Sequence, residues 1–196
     1  MEKQRSLSMY RTIDLMLWAA ILVIFEGVIL RAAKSMLFSD QVFTVSLAAP
    51  ITCIVFMRWG IWGAVHAVLA GIEFAILGGG NWRQLLVYGV GNLLALMMIP
   101  VMKWTGRERI RQSSGLSITI SLGTLLSMQL GRGLIALLTG AGVGSMVPFF
   151  TTDSLSAVFT IVIAWIVRRL DGVFEDQRHY LSRLQEEQKT ERMDSL

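Results

Sequence analysis

Four ionisable residues lie inside otherwise apolar stretches of this chain, each at a similar distance from one end of its stretch. Glu26, Glu73, Arg132 and Asp153 each stand about five or six residues from that end. At about 1.5 Å per helical residue, all four sit roughly 7–9 Å below one face of a bilayer. An ionisable group in hydrocarbon costs about 2.5–3.5 kcal/mol on insertion scales, so it turns inward and usually has a task. Arg132 offers a planar fork suited to a carboxylate. Glu26, Glu73 and Asp153 can each hold an amine or a ring nitrogen.

Uncharged polar groups join them at the same level. Gln84, Tyr88 and Asn92 are four apart and share one helix face. Gln129 precedes Arg132 by three residues. Gly78-Gly79-Gly80-Asn81-Trp82 makes a flexible turn ending in an aromatic, and Trp82, Tyr88 and Phe149 can stack on a ring. The segment Thr139–Val147 has no charge and three glycines, then meets Pro148-Phe149-Phe150, which reads as a lid. Together these predict a pocket, open to one side, for a small polar molecule with an apolar or aromatic part. A channel would need polar groups through the full depth. A second role stays open for each residue. Arg132 can pair internally with Glu73 or Asp153. Glu26 and Asp153 can reach the headgroups, and Trp82 and Tyr88 can anchor the interface. His66, on one stripe with Trp62 and Glu73, reads as a packed helix residue.

The elements that position these groups follow from composition. Of 196 residues 54% are hydrophobic and 16% charged, against about 25% charged in soluble domains. A soluble domain of this size cannot hide so much apolar surface. This excludes a soluble enzyme, a disordered chain and a nucleic-acid binder. The single cysteine, Cys53, excludes a disulfide framework. The expected fold is an all-α integral membrane protein with six transmembrane helices, over about 12–32, 41–57, 60–78, 83–103, 115–138 and 148–167. These form a domain of residues 1–170, with 171–196 as a helical cytoplasmic tail continuing the sixth span. A tight Arg58-Trp59-Gly60 turn separates spans two and three, and Pro50 predicts a kink within span two.

Fourteen of the 18 lysines and arginines fall in segments assigned to the inside. Arg31, Lys34 and Arg83 fall outside, and Arg132 lies within span five. The positive-inside rule then places both termini in the cytoplasm. Asp14 is expected at the inner interface, and His66 and His179 on opposite sides of the membrane. The tail reads as a solvated helix, or as a docking surface for a cytoplasmic partner.

Recognised enzyme motifs are absent: no HExxH, no GxSxG and no phosphate-binding loop. The expectation is a non-enzyme without cofactor or metal, and without an ATPase of its own. Two stripes of small residues run four apart, Gly63, Ala67, Gly71 and Ala75 in span three and Gly115 to Gly131 in span five. Such stripes let helices approach closely, inside one chain or against another subunit.

Six spans, a one-sided pocket, a glycine-bearing third span and the run Arg169 to Leu181 resemble the substrate-binding S components of energy-coupling factor (ECF) transporters. That resemblance implies uptake of a vitamin-like molecule across a bacterial plasma membrane. It also implies a transmembrane coupling protein and two ATPase subunits as partners. The substrate-binding residues expected from depth and shared helix faces are Glu26, Glu73, Trp82, Gln84, Tyr88, Asn92, Gln129, Arg132 and Asp153. Many S components carry Ala-x-x-x-Ala on span one. Here Ala19 and Ala20 are adjacent, so the docking face is assigned to them together with Gly63, Ala67 and Gly71. The competing reading is a structural or envelope-assembly membrane protein without a transported ligand.

Overall fold

The computed structural model describes residues 2–33 and 44–194, and these are helical with no strand among them. Four helical stretches are long and apolar enough to cross a membrane: Leu7–Ala32, Ala48–Leu77, Trp82–Thr105 and Ser114–Leu138. A fifth forms if Val143–Thr151 and Ser154–Val167, which meet at 44°, make one bent span. Four to five such helices are compatible with a multi-pass membrane protein.

The first helix, α1 (Glu2–Ala32), is uninterrupted and extends through the basic leader. Residues 41–43, the start of the second expected span, lie outside the described residues. Thr44–Ser46 are not helical, and α2 (Ala48–Trp59) begins only afterwards. Pro50 therefore falls in the first turn of α2, where its missing N–H costs no helix bond, so the expected mid-span kink does not arise.

The stretch Ala48–Leu77 is not one straight rod. Gly60 takes a φ of 63°, a conformation that favours glycine, and the chain reverses there. A Cβ on Gly63 would stand 3.1 Å from the backbone nitrogen of Phe56, seven residues earlier. In a straight helix that separation is about 10 Å. So α3 (Gly63–Leu77) folds back along α2.

A second reversal at Gly78–Gly80, with Gly79 at φ 74°, leads to α4 (Trp82–Gly91). Asn81 and Gln84 close a capping box at its start. The expected fourth span continues as a 3-10 stretch, Asn92–Met97, and then α5 (Met98–Thr105). Pro100 explains the tightening: it has no N–H to give Leu96 and its ring crowds that carbonyl. Gly106, at φ 86°, ends α5 and starts α6 (Arg107–Gln112). Next comes α7 (Ser114–Leu138), capped by Ser113. It packs against α2, α4, the 3-10 stretch and the last apolar helix, and so forms the centre of the bundle. The sixth expected span is broken into α8 (Val147–Thr151) and α9 (Ser154–Val167).

The tail does not continue α9. Residues 168–176 turn, with Gly172 at φ 69°, before α10 (Gln177–Asp194). Phe174 and Gln177 are fully buried, so this turn is packed against the bundle.

Leu22, Ile54, Phe56, Met57, Ala67 and Met128 belong to one core cluster. Outward faces are apolar as well: Ile13, Met16, Leu17, Ile24 and Phe25 on α1, and Phe159, Val162 and Trp165 on α9, are exposed. Faces of that extent suit lipid tails and not water.

Candidate functional site

The centre of the site is held by a close approach of α4 and α7. Gly91 and Gly131 face each other so tightly that a Cβ on either would collide with the other helix's backbone. This contact sets Asn92 beside Arg132. The Arg132 Nε donates to Asn92 Oδ1 at 2.8 Å, and Asn92 Nδ2 donates to the Ala67 carbonyl at 2.8 Å. The guanidinium lies 5.2 Å from the Tyr88 ring centre, near enough for a cation–π contact. Tyr88 in turn packs against Phe74 at 4.7 Å and edge-on to Phe149 at 6.0 Å.

The break between α8 and α9 supplies the counter-charge. Asp153 stands at the N-cap position of α9 but makes no capping bond. Its Oδ2 instead lies 3.1 Å from Arg132 Nη1 and accepts from Gln129 Nε2 at 3.4 Å. Its Oδ1 accepts from the hydroxyls of Thr44 at 2.8 Å and Ser156 at 2.7 Å. Thr44 also donates its backbone N–H to Thr152, and Ser46 donates its own to Ser156 at 2.9 Å. The non-helical segment Thr44–Ser46 is thus strapped across the break. Both members of the ion pair are buried, at 4% and 3% exposure.

Glu26 is fully buried one step away, and its Oε2 accepts from the Leu47 backbone N–H at 2.5 Å. Its Oε1 has no hydrogen-bond partner among the described residues. The glycine-bearing segment beyond α7 closes the same end. Met146 packs against Gly133, and Phe149 reaches Tyr88.

Glu26, Tyr88, Asn92, Gln129, Arg132 and Asp153 thus occupy one layer, and three expected site residues stand outside it. Glu73 lines a groove of about 540 Å³ between α1 and α3, walled by Val23, Ile24, Val28 and Ile72. Its buried Oε2 also lacks a hydrogen bond among the described residues. Trp82 is 63% exposed beneath Arg83, and Gln84 is spent on the α4 cap. Thr44, Ser46 and Ser156 belong to the layer and were not expected there. The spacing of Ser156 three residues after Asp153 is the one sequence signal for them.

The small-residue docking face requires correction. A Cβ on Gly63 would strike Phe56 of α2, and one on Gly71 would strike the Tyr88 backbone of α4. Ala67 is fully buried beneath Asn92. This stripe is consumed by packing inside the chain. Of the assigned docking residues, Ala20 is exposed and Ala19 is half-buried.

The opposite end holds a second polar centre. Asp14 is buried there, accepting from Arg58 Nε at 2.9 Å and Nη2 at 2.6 Å, and from Trp59 Nε1 at 2.6 Å. Arg58 Nη1 also bonds the carbonyls of Gly172 and Val173. His66 Nε2 lies 3.0 Å from the Leu15 carbonyl, while His179 shares a cavity with Arg58. The two histidines are therefore toward the same end, because α3 starts at the Gly60 reversal and His66 lies within its first turns. No group of three or more metal-ligating side chains gathers among the described residues.

Protein-family models, curated proteins and solved structures give no match to the chain.

Proposed function

We propose that this chain is a membrane-embedded solute-binding subunit of the ECF type. It would deliver a small vitamin-like molecule through a transmembrane coupling protein and two ATPase subunits. The observation that carries this reading is the buried layer of Arg132, Asp153, Asn92, Gln129 and Glu26 beneath a broken helix and a glycine-bearing segment. Burying such a set costs free energy that a purely apolar core avoids. The spare Glu26 Oε1 suits a ligand N–H donor, and Tyr88 suits a ring. Movement of α8 and the Gly140–Met146 segment would admit the solute, with Met146 and Phe149 acting as the latch.

The six-span topology belongs to the same proposal. Helix α2 is about 18 Å long, and the three non-helical residues Thr44–Ser46 add at most about 10 Å, so together they approach the thickness of the hydrocarbon. With α1, α3, α4–α5, α7 and α8–α9 this makes six crossings. In this reading both termini lie on the cytoplasmic side of a bacterial plasma membrane, a topology that the basic bias supports.

A structural or envelope-assembly role is favoured by one specific observation. Arg132 and Asp153 already satisfy each other, as in a ligand-free structural pair. Mass spectrometry of small molecules retained by the detergent-purified protein separates the two readings. A retained solute that is lost in Arg132→Ala supports solute binding. No retained solute, with no thermal shift across a vitamin panel, supports the structural role.

A further inference from the structure

The basic end of the bundle contains a cavity of about 1220 Å³, bordered on one side by Arg58 and Trp59 of the Asp14 centre. It lies between the Gly60 reversal, α5–α6 and α10. One wall is apolar, formed by Ile61, Leu96, Ile99 and Pro100. The other carries charge from Lys103, Arg107 and Arg178, with acids among them.

Those acids are already engaged. Asp176 pairs with Arg107. Glu175 lies 3.4 Å from Arg111 and 3.2 Å from Arg183, and Glu108 lies 3.1 Å from Arg111. Arg58, also on the lining, is engaged by Asp14. Lys103 and Arg178 have no ion pair among the described residues, and both are exposed. Burial, and after it the neighbouring Arg178 charge, holds the Arg107 pKa below its ordinary value. The apolar wall continues outward into lipid-facing surface: Met97 and Val101 are exposed, and Trp104, next to Lys103, is 89% exposed. A tryptophan at that position suits the headgroup level of a membrane.

We propose that this cavity holds the phosphate headgroup of an anionic phospholipid from the surrounding bilayer. Lys103 and Arg178 contact the phosphate, and the upper acyl chain lies along Leu96, Ile99 and Pro100. A free phosphate would gain nothing from the apolar wall, and a zwitterionic lipid little from the unpaired cations. Basic pockets between helices at the cytoplasmic face are suited to this task. The proposal rests on the membrane reading and is independent of any transported solute.

The test uses the full-length protein, delipidated in detergent and titrated with phosphatidylglycerol or phosphatidylcholine under native mass spectrometry. Wild-type protein should retain phosphatidylglycerol preferentially. The double variant Lys103→Gln/Arg178→Gln should bind it roughly tenfold to thirtyfold more weakly, with phosphatidylcholine binding unchanged. Arg83→Gln, at the other end, should bind like wild type. Both sites of the double variant are exposed, and an unchanged melting temperature confirms that its fold is intact. Equal retention of the two lipids, an undiminished preference in the double variant, or an equal loss in Arg83→Gln overturns the proposal. Displacement of the lipid by millimolar inorganic phosphate also overturns it, because the occupant would then be a soluble anion.

Discussion

The Arg132 guanidinium and the Asp153 carboxylate meet 3.1 Å apart, at the point where α8 gives way to α9. The helix break is what allows the meeting. It turns Asp153 from a capping residue into an inward-facing counter-ion for the central helix. Breaking one side of such a pair leaves an uncompensated buried charge, worth about 3–5 kcal/mol. Arg132→Ala and Asp153→Ala should each destabilise by about that amount. The double variant Arg132→Met/Asp153→Leu should lose much less than the sum, since it leaves no stranded charge. Unfolding in detergent, analysed as a double-mutant cycle, reads the coupling. Additive losses would show that the two residues do not act as a pair.

The close helix contacts predict a ranked series of glycine substitutions. Gly71→Ala and Gly131→Ala drive a methyl group into backbone, which cannot yield as a side-chain tip can. Each should cost about 1–3 kcal/mol or more. Gly144→Ala meets open space and has no positive φ, so it should fall within about 0.5 kcal/mol of wild type. Melting temperatures of the three variants check the order. A neutral Gly131→Ala would mean that α4 and α7 are further apart than described.

Arg58 ties the tail to the bundle, because it bonds Asp14 and the carbonyls of Gly172 and Val173 together. Lysine keeps the charge but cannot fork between those partners. Arg58→Lys should therefore loosen residues 168–176 while leaving the spanning helices folded. Limited proteolysis should cut this turn faster, and hydrogen exchange around Phe174 should rise. Unchanged protection at Phe174 would show that the tail docks by apolar burial alone.

The legible parts of this molecule were those with local causes. Long apolar runs marked the helices, because lipid-facing helices are apolar on their outer faces as well as their inner ones. Counting residues from one helix end grouped Glu26, Glu73, Arg132 and Asp153, since rise per residue converts position into depth; three of the four share the layer, while Glu73 at the same depth faces the groove between α1 and α3. The partners of those residues were harder. Thr44 and Ser46 reach Asp153 and Ser156 across more than 100 residues, on a segment with no helical period. The stripe of Gly63, Ala67 and Gly71 announced close packing, but spacing alone does not say which backbone fills it. The tail reads as solvated because its charges are dense. In the fold, Glu175 and Asp176 are drawn into ion pairs with Arg111, Arg183 and Arg107, and Phe174 is carried inside.

The Gly60 reversal sets the topology, and it can be tested directly. Ile61 is 66% exposed at the turn, on the cavity that also holds Lys103 and Arg107. Cys53 is fully buried, its sulfur bonded by the Ser121 hydroxyl at 3.3 Å, so it should resist thiol reagents. Single cysteines placed by Ile61→Cys and Arg109→Cys should be blocked by a membrane-impermeant maleimide from the same side. Arg83→Cys should be blocked from the opposite side. If Ala48–Leu77 were a single straight span, position 61 would lie near mid-membrane and resist labelling from either side. Labelling of Ile61→Cys from the Arg83→Cys side would overturn the hairpin and, with it, the proposed cytoplasmic position of the basic cavity. The labelling pattern thus decides both the reversal at Gly60 and the side on which that cavity opens.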